Sequence, residues 1–362
     1  MEGVNFSTDD KIRIAEKLDE FGVQFIEGGW PGSNPKDEQF FREVKKRKFK
    51  NEIVAFSATV LKNKKPASDI LIQKILDAKT KWVTVFGKTW DLHTRKILKI
   101  SDAAALELIQ KTIKFLIAKK RKVIFDAEHF FDGFRANPQF ALDCLKIAEK
   151  SGAANLTLCD TNGGTLPDKI RSIFRAVKLE IKTPLGIHAH NDCGTAVANS
   201  LVAAAEGAEI IQGTFGGLGE RAGNTDLGAI VSDLQIKKNQ KIVAPEKLRK
   251  LTTLTNFIFE TANLPAPKNL PFVGANAFTH KGGIHASAVR KNPKSYEHIS
   301  PESVGNFSRI TISELSGKSN VVAVARRLGF NLPANSARTR EILQKVKSLE
   351  NAGFYFETAE AS

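Results

Sequence analysis

The sequence predicts an α/β fold, a (β/α)8-type barrel that lacks its first strand and runs on into a helical subdomain. Three observations predict it. Short apolar runs alternate with amphipathic helical stretches at spacings of roughly 25 to 40 residues, the size of a strand–helix–strand unit. Polar residues able to do chemistry (Glu27, Lys88, Glu128, Asp160, His188, His190, Glu220) fall just past those runs. The chain also opens on a helical pattern with no strand ahead of it.

Taken in order, Thr8–Phe21 reads as that opening helix, and Ser7 with Asp10 three residues on supplies a capping signal. Strands are expected at Val23–Glu27, Ile53–Phe56, Trp82–Phe86, Val123–Phe125, Leu156–Cys159, Leu185–Ile187 and Ile210–Ile211. Between them, Ala103–Ile117, Phe140–Ala148, Ile170–Val177 and Ala196–Glu206 carry helical periodicity. Such alternation makes the strands parallel, with crossover helices outside. Only seven strand–helix units appear. A barrel closes by pairing every strand edge, so an absent first strand leaves two edges open. Past about Ile236 the rhythm stops. Pro245–Glu260 reads as one helix, Leu264-Pro265-Ala266-Pro267 as a linker, and Asn320–Leu328 and Arg338–Asn351 as further helices. Residues 1–262 are therefore expected to form the barrel, and 263–362 a linker and helical subdomain without a second strand series.

Composition narrows the function. With 362 residues, 42% hydrophobic and 26% charged, the chain is neither disordered nor collagenous. No run of about 18 apolar residues could span a membrane, and the start Met1-Glu2-Gly3-Val4-Asn5 carries no secretory pattern. Cys144, Cys159 and Cys193 form no CxxC pair, which suits a reducing cytoplasm. Lys and Arg outnumber Asp and Glu by 54 to 39, a formal +15. That excess reads as a solvated Lys-rich surface, the alternative being attraction of anionic substrates. Lys45-Lys46-Arg47-Lys48 lies in an amphipathic helical pattern with no aromatic stripe, so no nucleic-acid face is expected.

The strongest chemical feature is His188-Ala189-His190-Asn191-Asp192, directly after a strand. Side chains at i and i+2 of an extended segment share a face, so two imidazoles project together over the barrel mouth, which suits a divalent metal, the alternative being two unrelated polar loop residues. The next loop, Gly216-Gly217-Leu218-Gly219-Glu220-Arg221-Ala222-Gly223-Asn224, has four glycines in eight positions. Asn224 there can offer a neutral oxygen to a cation or simply cap a helix. Glu128, in Phe125-Asp126-Ala127-Glu128-His129, can act as a base, orient one, or be a surface acid. Thr161 and Asn162, with Gly163-Gly164, read as a hydrogen-bonding loop for a small carboxylate. His285, in His280-Lys281-Gly282-Gly283-Ile284-His285, lies past the barrel series and can be acid, base or an ordinary loop residue.

Together with Ile26–Asp37, Phe86–His93 and Ser313-Glu314-Leu315-Ser316-Gly317, these segments resemble the metal-dependent TIM-barrel acyltransferase family that includes isopropylmalate, homocitrate and citramalate synthases, the last most of all. The match covers nearly the whole chain. Lyases of the same superfamily carry a cysteine in the Gly216–Asn224 loop, and its absence here points to the synthases. The resemblance implies His188, His190 and Asn224 as ligands of a divalent metal (Mg, Mn or Zn), Glu128 and His285 as groups that enolise acetyl-CoA, and Thr161 as a contact to the keto-acid carboxylate. It implies condensation of acetyl-CoA with pyruvate toward isoleucine, in a cytoplasmic homodimer without nucleic-acid or membrane partners. The family pattern begins with a strand bearing Arg-Asp-Gly, and Met1 falls just after the place where that motif would end. By this reading a metal-binding Asp and a charge-stabilising Arg are missing, and impaired activity is expected. An inactive remnant serving as an assembly subunit, and a synthase for another 2-oxo acid, are the alternatives.

Overall fold

The computed structural model describes residues 2–311 and 317–354. Residues 313–316, part of one signature segment, lie outside them. The chain divides into two compact units, Met1–Ala244 with Leu254–Pro265, and Pro245–Thr253 with Ala266–Ser362.

In the first unit, α1 (Thr8–Phe21) starts where expected. Asp10 N–H donates to the Ser7 hydroxyl (3.1 Å), and Ser7 N–H donates to the Asp10 carboxylate (3.0 Å), so two orphan donors of the first turn are satisfied. There follow β1 (Phe25–Glu27), α2 (Pro35–Val44), β2 (Glu52–Ala58), α3 (Ile70–Asp77), β3 (Trp82–Lys88), α4 (Asp102–Ala118) and β4 (Lys122–Glu128). The series continues with α5 (Phe130–Ala136), α6 (Pro138–Lys150), β5 (Asn155–Asp160), α7 (Pro167–Glu180), β6 (Leu185–Ala189), α8 (Ala196–Ala205), β7 (Ile210–Gln212) and α9 (Leu227–Ser232). The seven strands form one parallel sheet in sequential order. Among the described residues, β1 and β7 are its edges and no eighth strand joins them, in keeping with the seven units counted in the sequence.

Period-two alternation sorts the strand residues. Ile26, Ala55, Val83, Val85, Val123, Phe125, Leu156, Leu158 and Ile187 pack outward against Ile72, Ile109, Leu116, Leu145 and Phe174 of the helices. Each large apolar side chain buried this way contributes roughly 1.5–3 kcal/mol. The alternate residues (Glu27, Lys88, Asp126, Glu128, His188 and Gln212) therefore face the other side of the sheet. Beside the edge strands lies a cavity of about 660 Å³, lined by Ile26 and Glu27 of β1, Ile211 and Gln212 of β7, His188 and Asn224.

The second unit corrects two expectations. The helix foreseen over Pro245–Glu260 is two, α10 (Pro245–Leu248) and α11 (Leu251–Thr261). At the break, the Arg249 carbonyl comes so near Gly305 that a Cβ there would lie 2.1 Å from its oxygen, room only glycine leaves. A short parallel pair also occurs where no strands were expected, β8 (Thr279–His280) beside β9 (Arg309–Ile310). The rest is helical: α12 (Gly283–Lys291), α13 (Lys318–Arg327) and α14 (Ala337–Asn351), the last two packed through Val321, Val324 and Val346.

Candidate active site

The carboxyl ends of β3 to β7 and the loops after β6 and β7 carry the candidate groups. Strand pairing sets Lys88 beside Glu128, and His188 beside Gln212. His188 and His190, two residues apart on the extended end of β6, turn their rings toward each other. Their Nε2 atoms lie 3.2 Å apart, with the ring planes at 65°. The glycine loop then brings Asn224 alongside, through a backbone bridge between His190 and Asn224. A Cβ on Gly219 would approach the Asn224 amide to 2.8 Å, so a larger residue at that place would push this side chain aside. His188, His190 and Asn224 thus converge.

The donor chemistry fits a divalent cation. The two imidazoles turn Nε2 toward Nε2 at 3.2 Å, and the Oδ1 of Asn224 is buried without a hydrogen-bond partner. Among the described residues, no group of three or more His, Cys, Asp and Glu forms a metal cluster. Burial, with His190 beside it, pushes His188 down to about 4. Burial and the Arg221 charge lower His190 as well. Both rings are thus held neutral, the form that binds a metal.

Behind His188 stands a chain that the sequence reading missed. The Gln212 amide nitrogen donates to Asp126 Oδ1 (2.9 Å), while Gln212 Oε1 lies 2.9 Å from His188 Nδ1. Burial, and then the Glu27 charge, raise Asp126 well above the usual carboxylate range. Two sequence signals were available: Asp126 follows directly on the apolar run Val123–Phe125 and lies two residues before Glu128, and Gln212 is the polar end of Ile210-Ile211-Gln212.

A second cluster centres on Glu128, which pairs with Lys88 Nζ at 2.5 Å, both side chains being half-buried. Next to it, the rings of His129 and His93 stack at 4.1 Å, with Trp90 against both. His129 sits at φ +59, in left-handed backbone. Burial, with His93 and Lys88 adding, brings it down to about 4. His129 N–H donates to the Thr161 hydroxyl (2.8 Å), fixing Thr161 next to Glu128. Arg221 ties the loops together, donating to the Thr161 carbonyl (2.6 Å) and to both oxygens of Asp192 (2.8 and 3.0 Å). Glu220 is exposed, 3.8 Å from Arg221. In His188–Asp192, Asn191 accepts from Ala196 N–H (3.1 Å) at the start of α8, a structural task. His285 belongs to the second unit, on α12, exposed and stacked on Tyr296 at 4.2 Å.

Known proteins resemble this chain along its whole length. The HMGL-like family profile matches residues 1–258, and the profile described as homocitrate synthase post-HMGL domain-like matches residues 272–353. The chain is 50% identical to an (R)-citramalate synthase of Aquifex aeolicus, over 100% of this chain and 69% of that protein. It is 46% identical to one of Geobacter sulfurreducens, with the same coverage. A homocitrate synthase of Sulfolobus acidocaldarius is 33% identical over 98% of this chain and 73% of its own length. Among solved structures, a Bacillus subtilis HMG-CoA lyase superposes with a TM-score of 0.61 at 21% identity, over 73% of this chain and 90% of that one, a likeness of fold.

Proposed function

We propose that this chain, which belongs to the HMGL-like family, catalyses the (R)-citramalate synthase reaction: acetyl-CoA, pyruvate and water give citramalate and free CoA, a step toward isoleucine. The observation that carries this reading is 50% identity with an (R)-citramalate synthase over the entire chain. The converging His188, His190 and Asn224 support it.

In this reading those three side chains hold a divalent cation, Mg, Mn or Zn. Bound there, the cation supplies Lewis acidity that withdraws electrons from the pyruvate carbonyl. Glu128, held by Lys88, takes a proton from the acetyl methyl group, and the enolate carbon forms the new bond to the carbonyl carbon of pyruvate. Thr161, oriented by His129 N–H, donates its hydroxyl proton to the pyruvate carboxylate. Water then cleaves the thioester, and release of CoA drives the condensation forward. Free thiols at Cys144, Cys159 and Cys193 suit a cytoplasmic setting, and the functional form is a homodimer.

The test mixes the purified chain with pyruvate, acetyl-CoA and Mg²⁺ or Mn²⁺. CoA release is followed with a thiol reagent, and the product by chiral chromatography. Pyruvate-dependent release of (R)-citramalate is expected, falling about 10²–10⁴-fold in Glu128→Gln. Faster turnover of another 2-oxo acid would overturn the substrate assignment. A folded chain releasing no CoA with any 2-oxo acid would overturn the enzyme and leave the assembly subunit.

A further inference from the structure

We infer that Gln212 is a positioning residue that fixes the tautomer of His188, locked in turn by Asp126, so that the Nε2 lone pair of His188 faces the cation-binding point. The inference rests on reading His188 and His190 as cation ligands, and adds the group that prepares one of them.

Hydrogen-bond polarity runs along four side chains, Asp126, Gln212, His188 and His190. A primary amide has one accepting end and one donating end. The Asp126 oxygen beside Gln212 accepts the amide N–H at 2.9 Å, which turns Oε1 toward the imidazole. Oε1 is an acceptor only, and it lies 2.9 Å from His188 Nδ1, so Nδ1 carries the proton. A neutral imidazole has one N–H, which leaves His188 Nε2 as a bare lone pair. That lone pair lies 3.2 Å from His190 Nε2, so in the metal-free protein the proton in the gap belongs to His190. Cation binding then asks nothing of His188. His190 alone moves its proton, to an Nδ1 that is buried and without a partner.

Without the chain, His188 would be free to take the other tautomer, with N–H pointed at the cation site and no lone pair to offer. Partners that orient a ligating imidazole typically change metal affinity 10–100-fold when removed. With the amide reversed, a neutral Asp126 would donate its own proton to Oε1 and the amide N–H would face Nδ1, leaving His188 protonated at Nε2, so the tautomer of His188 reports which way the amide points.

The test uses the full chain with ¹⁵N-labelled histidine, first free of metal. Long-range ¹H–¹⁵N correlation spectra assign each ring's tautomer, His188 being identified by its loss in His188→Ala. The expected result is His188 protonated at Nδ1, with a shift toward mixed tautomers in Gln212→Leu and Asp126→Asn. Mn²⁺ titration by calorimetry should show affinity lost in His188→Ala and about 10–100-fold weaker in Gln212→Leu. Circular dichroism checks that each variant folds. A wild-type His188 protonated at Nε2, or Gln212→Leu binding Mn²⁺ as tightly as wild type, overturns the inference. If His188→Ala binds Mn²⁺ as wild type does, the metal reading fails instead, and the tautomer spectrum still decides the role of Gln212.

Discussion

Replacing Gly223 by Ala tests whether the glycine loop is a built support for the site. Gly223 adopts φ +97, and a Cβ there would lie 2.1 Å from the Gly217 carbonyl oxygen. That oxygen also accepts Asn224 N–H at 2.9 Å, while the Gly223 carbonyl accepts Asn191 N–H at 2.9 Å. The substitution therefore adds a backbone cost of about 1–2 kcal/mol and breaks a hydrogen bond worth about 1 kcal/mol. The sum is on the order of 3 kcal/mol. At roughly 2–4 °C per kcal/mol for a unit of this size, Tm should fall by about 6–12 °C. Gly194→Ala is the comparison: φ is +70, but nothing lies within 4 Å of the added Cβ. Only the backbone cost applies, about 1–2 kcal/mol and roughly 2–8 °C. Thermal unfolding of both variants by circular dichroism, with Mn²⁺ affinity beside it, separates strain from crowding. Equal shifts in the two variants, or a Gly223→Ala chain with wild-type Tm and Mn²⁺ affinity, would refute the claim that close approach shapes this loop.

Three further predictions follow from the same geometry. Lys88→Met, which frees the Glu128 carboxylate from its clamp, should slow CoA release about 10-fold or more by misorienting it, with Tm little changed because both groups are half-buried. His129 is held at about 4, below its ordinary value of about 6.5, so the unfolded chain takes up its proton first. Its contribution to stability is complete above pH 6.5 and is lost as pH falls toward 4, at most about 3 kcal/mol; urea midpoints should fall less over that window in His129→Gln than in wild type. Asp19 is buried and accepts from Lys50 N–H (3.0 Å), Asn51 N–H (2.8 Å) and Asn51 Nδ2 (2.9 Å), so Asp19→Ala should cost about 2–3 kcal/mol in urea unfolding.

The barrel was legible because its strands are one-sided in the right way. An outward row of Val, Ile, Leu and Phe must meet helices, and the helices announce themselves between strands with caps such as Ser7 and Asp10. The broken helix at Arg249 was not legible. At the break the Arg249 carbonyl lies against Gly305, far along the chain, and no local pattern at Pro245–Glu260 records that contact. The pair β8–β9 was hidden for a related reason: two residues per strand are too few to express a period.

The site divides along the same line. His188 and His190 could be paired from sequence because two residues of extended chain fix their common face. Asn224 could be proposed because glycines announce a loop that folds back. The support behind them joins residues 86 positions apart, Asp126 and Gln212, and neither looked like a ligand or a base. Yet each stands where alternation would put it. Asp126 shares a face with Glu128, and Gln212 is the register partner of His188. Once a strand end is accepted as the mouth of a barrel, the inward residues one layer below it on neighbouring strands become the places to seek second partners. A polar residue there has no solvent to satisfy it, so it must be bonded to another inward group. Applied here, that rule places Asp126 among the residues to seek below Glu128, with Gln212 level with His188 on the neighbouring strand, and leaves to the structure which of the inward polar groups are joined.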